Sequence, residues 1–233
     1  MLNDRILIVP DIHFPYSHQD SLSFLLALKK RINPTRCINL GDEVDGHSWS
    51  FHQASAELDS PSAELEKAII QIKELGKIFP QMDLMESNHG SLFVRKLQAN
   101  YLPKKILKSY RDILEAPIGW EWHNRLIIKL PDGNKCMFVH SLGANVLQVS
   151  MRLGMCVVEG HHHNSFDLRY HYNGERLLWG MISGSLIADE SIAYAYNKLN
   201  PNRPIIGASV IINSIPQLVP MRLNNKGRWT GVL

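Results

Sequence analysis

The chain is predicted to fold as an α/β protein of two sheets, the first mostly parallel and covered by helices. Three observations predict it. Short apolar runs alternate with segments of helical periodicity across residues 5–99, the β-α-β-α-β-α order of a parallel sheet. Hairpin signals dominate the second half, at Pro131-Asp132-Gly133-Asn134 and at Asn173-Gly174. No repeat, low-complexity stretch or linker divides the 233 residues, so residues 1–233 are read as one domain.

Taken in order, residues 5–10 form a buried strand that Pro10 ends, which frees Asp11 to lie in a loop. Residues 21–31 place Leu22, Phe24, Leu25 and Leu28 at helical spacing, closed by Asn33-Pro34. Residues 37–40 are the second strand. A helix opens at Ser62 and runs to about Leu75, with Gly76 as its expected stop. Residues 82–86 are the third strand, and another helical stretch follows Gly90. Residues 125–130 and 135–140 flank the first hairpin signal. Residues 142–152 read as a helix whose apolar face is Val146, Val149, Met151 and Leu153. An apolar run over 155–159 leads into Gly160-His161-His162-His163. Residues 168–172 and 175–180 flank the second hairpin, and 205–212 and 217–222 are the last two strands.

Hydrophobic residues make up 45% and charged ones 20%, enough apolar material for a core under a soluble surface. The formal charge is +3, from 25 Lys and Arg against 22 Asp and Glu, so global charge argues for no polyanion partner. Its distribution says more. Arg95, Lys96, Lys104, Lys105, Lys108 and Arg111 fall in one stretch without an acid, directly after Asn88-His89, and would draw anions there. Arg222, Lys226 and Arg228 near the end read as a solvated face. Cys37, Cys136 and Cys156 each sit in an apolar run, as small buried hydrophobes of a reducing compartment. The first apolar run is too short for a signal peptide, and no segment has the apolar length to span a bilayer. A cytoplasmic location is expected, with no membrane partner.

The chemistry lies at the strand ends. In open α/β sheets the ligand site lies beyond the carboxyl ends of the strands. Five apolar runs end in Asp11-Ile12-His13, Gly41-Asp42, Ser87-Asn88-His89-Gly90, His140-Ser141 and Gly160-His161-His162-His163. The converging set is Asp11, His13, Asp42, Asn88, His140, His161 and His163. His161 and His163 are expected on one side of an extended segment, with His162 facing away. Seven ligands exceed what one tetrahedral ion needs and suit two ions sharing a carboxylate. Imidazole and carboxylate without thiolate favour divalent ions, Mn²⁺ first, with Fe, Co²⁺, Ni²⁺, Zn²⁺ or Mg²⁺ as alternatives. Two such ions bring more positive charge than Asp11 and Asp42 return, and the surplus matches a phosphate. Metals roughly 3.5–4 Å apart activate water and clamp the oxygens of an in-line displacement.

The order Asp11-x-His13, Gly41-Asp42-x-x-Asp45, Asn88-His89, His140 and Gly160-His161-x-His163 resembles the calcineurin-like metallophosphoesterases. The resemblance implies a four-layer α/β/β/α sandwich of two mixed sheets flanked by helices, with a dinuclear centre. One metal would take Asp11, His13, Asp42 and His163; the other would take Asp42, Asn88, His140 and His161, with Asp42 bridging. His89 would be the general acid that protonates the leaving oxygen. The chain departs from the family at Gly90, where a carboxylate is usual, and at Gly46, where its protein phosphatases carry a phosphate-binding arginine. Arg95, five residues beyond Gly90, is the substitute phosphate contact, and Asp45 reads as a turn residue. The compact size is similar to phage and bacterial members, and deoxynucleoside 5′-monophosphates are the expected substrates. The alternatives are a phosphodiesterase or nuclease acting on DNA or cyclic nucleotides, and a non-catalytic scaffold.

Overall fold

The structure is a computed structural model that describes residues 4–51, 59–188 and 203–233. Strand β1 (Arg5–Val9) is followed by helix α1 (Ser21–Ile32) and β2 (Arg36–Asn39), then by α2 (Pro61–Ile78) and β3 (Gln81–Met85). Two shorter helices, α3 (Leu92–Ala99) and α4 (Tyr110–Leu114), lead to β4 (Gly119–His123). The hairpin β5 (Leu126–Lys129) and β6 (Lys135–Val139) opens the second half. It continues through α5 (Val146–Leu153), β7 (Cys156–Glu159), the hairpin β8 (Phe166–Tyr172) and β9 (Leu177–Ser183), then β10 (Gly207–Ile212) and β11 (Ile215–Pro220).

The strands form two mixed sheets. The first runs β11-β10-β1-β2-β3-β4, with β1 to β4 parallel and the closing hairpin antiparallel on the other edge of β1. The second runs β5-β6-β7-β9-β8. Side-chain alternation along each strand sorts residues between layers. In β1, Leu7 and Val9 pack with Phe24, Leu25 and Leu28 of α1 and Ala68, Ile72 and Leu75 of α2. Ile6 and Ile8 turn the other way, and with Ile38 and Met85 meet Phe138, Cys156 and Val158 of the second sheet. On the far face of that sheet, Met137, Val139 and Val157 pack under Val146 and Val149 of α5. The result is four layers, α/β/β/α, as the family resemblance implied.

Several sequence expectations need correction. Gly76 does not stop α2; the helix continues to Ile78. Gly76 is there because the chain crosses close by: a Cβ would lie 2.6 Å from the Pro117 ring. Strand β4 and helix α4 were not expected, since Trp120 and Trp122 alternate with polar residues over only five positions. The second sheet is not simply hairpins. Its centre, β6, β7 and β9, is parallel, with α5 as the crossover from β6 to β7. In α5, Met151 is 46% exposed and lies off the packed face. All three cysteines are free; Cys136 and Cys156 are buried, but Cys37 is only partly so. Among the described residues, no helix is long and apolar enough to cross a membrane.

Candidate metal centre

The parallel strands and β6 and β7 deliver their carboxyl ends to one place, on the loops that follow them. β1 leads to Asp11 and His13, β2 to Asp42 and Asp45, and β3 to Asn88 and His89. In the second sheet, β6 leads to His140 and β7 to His161 and His163. Leu40 and Asp42 tie the loops together: Leu40 N–H donates to Val9 C=O at 3.0 Å and His13 N–H to Asp42 C=O at 2.9 Å. His13, Asp42 and His161 all have left-handed backbones, with φ of 54, 49 and 66°. Such conformations are uncommon outside glycine and persist only when surroundings hold them. Here they point the side chains back at a common centre.

Two of the groups of ligand atoms that result share Asp42, and a third sets His89 beside His13 and Asp45. In one, Asp11, His13, Asp42 and His163 bring an atom each within 4.8 Å of one another. Asp42, His140 and His161 make the other. Asp42 is common to both. Asn88 joins the second group, its Oδ1 lying 2.6 Å from His140 Nε2. His13 Nε2 lies 3.1 Å from His163 Nε2, and His163 Nε2 lies 3.1 Å from Asp11 Oδ2. Gly160 makes this proximity possible, since a Cβ there would sit 2.2 Å from Asp11 Oδ1.

The outer partners fix which nitrogen of each ring faces inward. Leu40 C=O can only accept, so the 2.9 Å contact puts the proton on His140 Nδ1 and leaves Nε2 for the centre. Asp45 does the same for His13, its Oδ1 lying 2.7 Å from Nδ1. Asp45 is therefore no mere turn residue; it orients a cluster histidine and is itself 1% exposed. Its place three residues after Asp42 was the available signal. His89 Nδ1 donates to the Asp45 carbonyl, which leaves Nε2 free of that bond. The His89 and His13 rings meet edge-on at 4.8 Å.

Sequence reasoning missed Ser87 and Glu159. Ser87 Oγ accepts from the N–H groups of Asp42 and Gly90, both at 3.0 Å, and so pins the Asn88-His89 turn to the bridging residue. Glu159 is fully buried and accepts from Leu142 N–H at 3.1 Å, tying the loop after His140 to the end of β7. Burial pushes the Glu159 carboxyl up to about 7.

The Gly-His-His-His stretch is a turn and not the extended segment expected. His162 N–H donates to Gly160 C=O at 2.7 Å and His163 N–H to His161 C=O at 3.1 Å. His161 and His163 still reach the cluster because the turn rests on Asp11, whose Oδ2 accepts from His161 N–H at 2.6 Å. His162 packs edge-on against His161 at 5.1 Å and is half-buried, outside both groups. Arg95 donates from Nη2 to Asn88 C=O at 2.6 Å and lies over Phe51, 5.7 Å from its centroid.

Charge at the centre is concentrated. Burial alone would raise the Asp42 carboxyl, but His140, His89 and His13 hold it below the usual carboxylate range. Burial is likewise outweighed at Asp45, by the hydrogen bond to His13. Burial would lower His163, yet its bond to Asp11 raises it; His140 is also raised, by Asp42 and Asp11 against burial. His161 is lowered, first by burial and then by His140. Among the described residues, Asp11 Oδ1, Asp42 Oδ2 and Asp45 Oδ2 are buried without a hydrogen-bond partner. Unpaired carboxylate oxygens beside inward-facing imidazole nitrogens are costly unless a cation completes them. The donor set fits divalent metal.

No known family model matches the chain, and no curated protein matches it. Solved structures do. Vacuolar Protein Sorting 29 from Cryptosporidium parvum is 15% identical, covering 90% of this chain and 85% of that one, with a TM-score of 0.44. Vps29 from Chaetomium thermophilum is 10% identical over 97% of this chain and 90% of that one, at 0.45. The same Vps29 complexed with a RaPID-derived cyclic peptide, RT-D3, is 10% identical over 99% and 94%, at 0.48. Likeness of this size concerns the path of the chain and not its chemistry.

Proposed function

We propose that the chain is a metal-dependent hydrolase of phosphoric esters with a dinuclear centre. The observation that supports this reading is the set of buried, unpartnered oxygens of Asp11 and Asp42 facing inward-directed nitrogens of His13, His140 and His163. Asp11, His13, Asp42 and His163 would hold one ion; Asp42, Asn88, His140 and His161 would hold the other. When bound, two divalent ions, Mn²⁺ first, supply a water made acidic and a clamp for phosphate oxygens. The chain's own residues do the rest. Asp45 and the Leu40 carbonyl keep His13 and His140 in the ligating tautomer. Ser87 holds the Asn88-His89 turn against Asp42. His89, with Nδ1 held by the Asp45 carbonyl, offers Nε2 to deliver a proton to the leaving oxygen. Arg95 spends one donor on the Asn88 carbonyl and keeps others for a phosphate.

The substrate we assign is a deoxynucleoside 5′-monophosphate. Its dianionic phosphate suits a centre whose two divalent ions outweigh Asp11 and Asp42, and in sequence the cations from Arg95 to Arg111 lie to one side of Asn88-His89 only. A diester would have to pass the centre in both directions. The free thiols suit a reducing cytoplasm.

A second reading, a non-catalytic binding module of the same fold, is favoured by one feature. Edge strand β8 and its partner β9 expose Tyr170, Tyr172 and Leu177 at 46, 63 and 50%, more apolar surface than catalysis needs. One experiment separates the readings. The Mn²⁺-loaded chain is given a panel of deoxynucleoside 5′-monophosphates, a dinucleotide, a cyclic nucleotide and a single-stranded oligonucleotide. Phosphate release from the monophosphates is the expected result. Cutting of the diesters alone makes it a phosphodiesterase or nuclease, and no turnover with metal bound makes it a binding module.

A further inference from the structure

A cavity of about 850 Å³ lies behind the turn that carries Asn88 and His89, and none of the proposed metal ligands lines it. Ser87 and Gly90 form part of its wall, yet its own chemistry is different. Glu43 lines it and is 1% exposed. The Glu43 Oε1 atom accepts from Trp122 Nε1–H at 2.6 Å, but Oε2 has no partner among the described residues. Arg111 lines the same cavity. Its Nη2 donates to the Trp120 carbonyl, and its buried Nε–H is also without a partner. A buried acceptor and a buried donor left unmade in one cavity each carry a desolvation cost that a polar ligand placed there can return.

The wall between them is aromatic. Phe93, Tyr110 and Trp122 line it in sequence, with ring centroids 6.3 Å apart for the first pair and 5.6 Å for the second. Exposed Lys104 and Lys108 line it as well, against one exposed acid on its wall, Glu86. A flat apolar ring whose edge carries donors and acceptors, joined to an anion, answers all of these features together. We propose that this cavity is a nucleotide-binding site separate from the metal centre. The base lies against the aromatic wall and donates an N–H to Glu43 Oε2, and the phosphate meets Lys104 and Lys108. This holds whether or not the metal centre turns anything over.

The test uses the full, Mn²⁺-loaded chain and two phosphonate analogues that have no ester bond to cut. One is the analogue of AMP, and the other is its counterpart without the 6-amino group. Any grip of the metals on the phosphonate is common to both, so their ratio reads the base. Calorimetry should show the amino analogue bound about tenfold tighter, the worth of one hydrogen bond to a buried carboxylate. Glu43→Gln should reverse that preference. Trp122 keeps the amide oxygen in the place of Oε1, so the new NH₂ takes the place of Oε2 and offers a donor where an acceptor stood. Lys108→Ala should weaken both analogues equally. Equal affinities in the unaltered chain, or a preference unchanged by Glu43→Gln, overturn the proposal. Binding that vanishes in Asp42→Asn but ignores Lys108→Ala also overturns it, by placing the ligand at the metals and leaving the hydrolase reading intact. If Glu43→Gln does not fold, Phe93→Ala decides: both analogues weaken, or the proposal is wrong.

Discussion

Two sets of buried carboxylates stand at opposite levels of satisfaction. Asp20, at the start of α1, is 8% exposed and has every oxygen engaged. Its Oδ1 accepts from Arg228 Nη2 at 2.6 Å, and its Oδ2 accepts from Arg228 Nε at 2.8 Å and Trp229 N–H at 2.9 Å. Asp11, Asp42 and Asp45 are at most 1% exposed, and each keeps an oxygen with no hydrogen-bond partner among the described residues. The first arrangement is complete within the chain and fastens the C-terminal segment to α1. The second is complete only with something added. Burial alone therefore does not separate a structural acid from a functional one; the unmade bonds do.

The largest effect expected from this contrast is at Asp42. Asp42→Asn removes the one carboxylate common to both ligand groups, so metal content should fall from two equivalents toward none, with affinity down by more than about 100-fold. The metal-free variant should melt at or below the metal-free parent, because His13, His89 and His140 lose the carboxylate charge they face. Elemental analysis and thermal melts read the two halves of this outcome. Retention of two ions at the parent's affinity breaks the contrast outright.

His89 comes next. His89→Asn should keep its metals and slow hydrolysis roughly 10²–10⁴-fold, the usual worth of a positioned acid. The loss should shrink with p-nitrophenyl phosphate, whose leaving group needs little protonation. If the variant arrives without metal, His89 is a ligand and its tie to the Asp45 carbonyl is incidental.

Where the sequence succeeded and where it failed follows the same line. Buried strands announce themselves as short apolar runs, and each proposed ligand follows one closely, so the gathering of Asp11, Asp42, Asn88 and His140 was legible before any geometry. The four layers were legible only through the family resemblance, because periodicity cannot say which face of β1 meets helices and which meets a sheet. What stayed hidden depends on partners distant in sequence. Nothing at Asp45 says that its Oδ1 will meet His13 thirty-two positions away. Nothing at Gly76 says that Pro117 will press on it. Trp122 reads as a half-apolar residue until Glu43 is found at its indole nitrogen.

Asp45 tests the middle of the contrast, because one of its oxygens is satisfied and the other is not. Asp45→Ala should free the His13 ring to choose either tautomer and cost about 10–100-fold in affinity for one of the two ions. The His89 contact uses the backbone carbonyl of residue 45, so it survives the substitution. At saturating metal, kcat should therefore stay near the parent value while the metal concentration needed for half activity rises. A fall in kcat that excess metal cannot restore would place Asp45 in the chemistry itself.

The smallest effect belongs to Asp20, and it reaches stability alone. Asp20→Asn should leave metal binding and turnover unchanged and lower the melting midpoint by about 2–4 °C, with or without metal. The same tie predicts a pH dependence. The Arg228 hydrogen bonds, with Trp229 N–H assisting against burial, hold the Asp20 carboxyl down at about 2, from an ordinary value of 3.8. A carboxylate held below its unfolded value contributes stability that is fully present above that value and lost as pH falls through the folded one. Docking of the C-terminal segment should therefore persist unchanged down to about pH 4 and loosen between there and about pH 2. Trp229 meets Phe24 edge-on at 5.6 Å, so its fluorescence reports the release directly. In Asp20→Asn that acid transition should vanish, while acid loss of metal from the Asp42 cluster remains. A transition that persists in Asp20→Asn would show that another group holds the tail, and the comparison would lose its satisfied member.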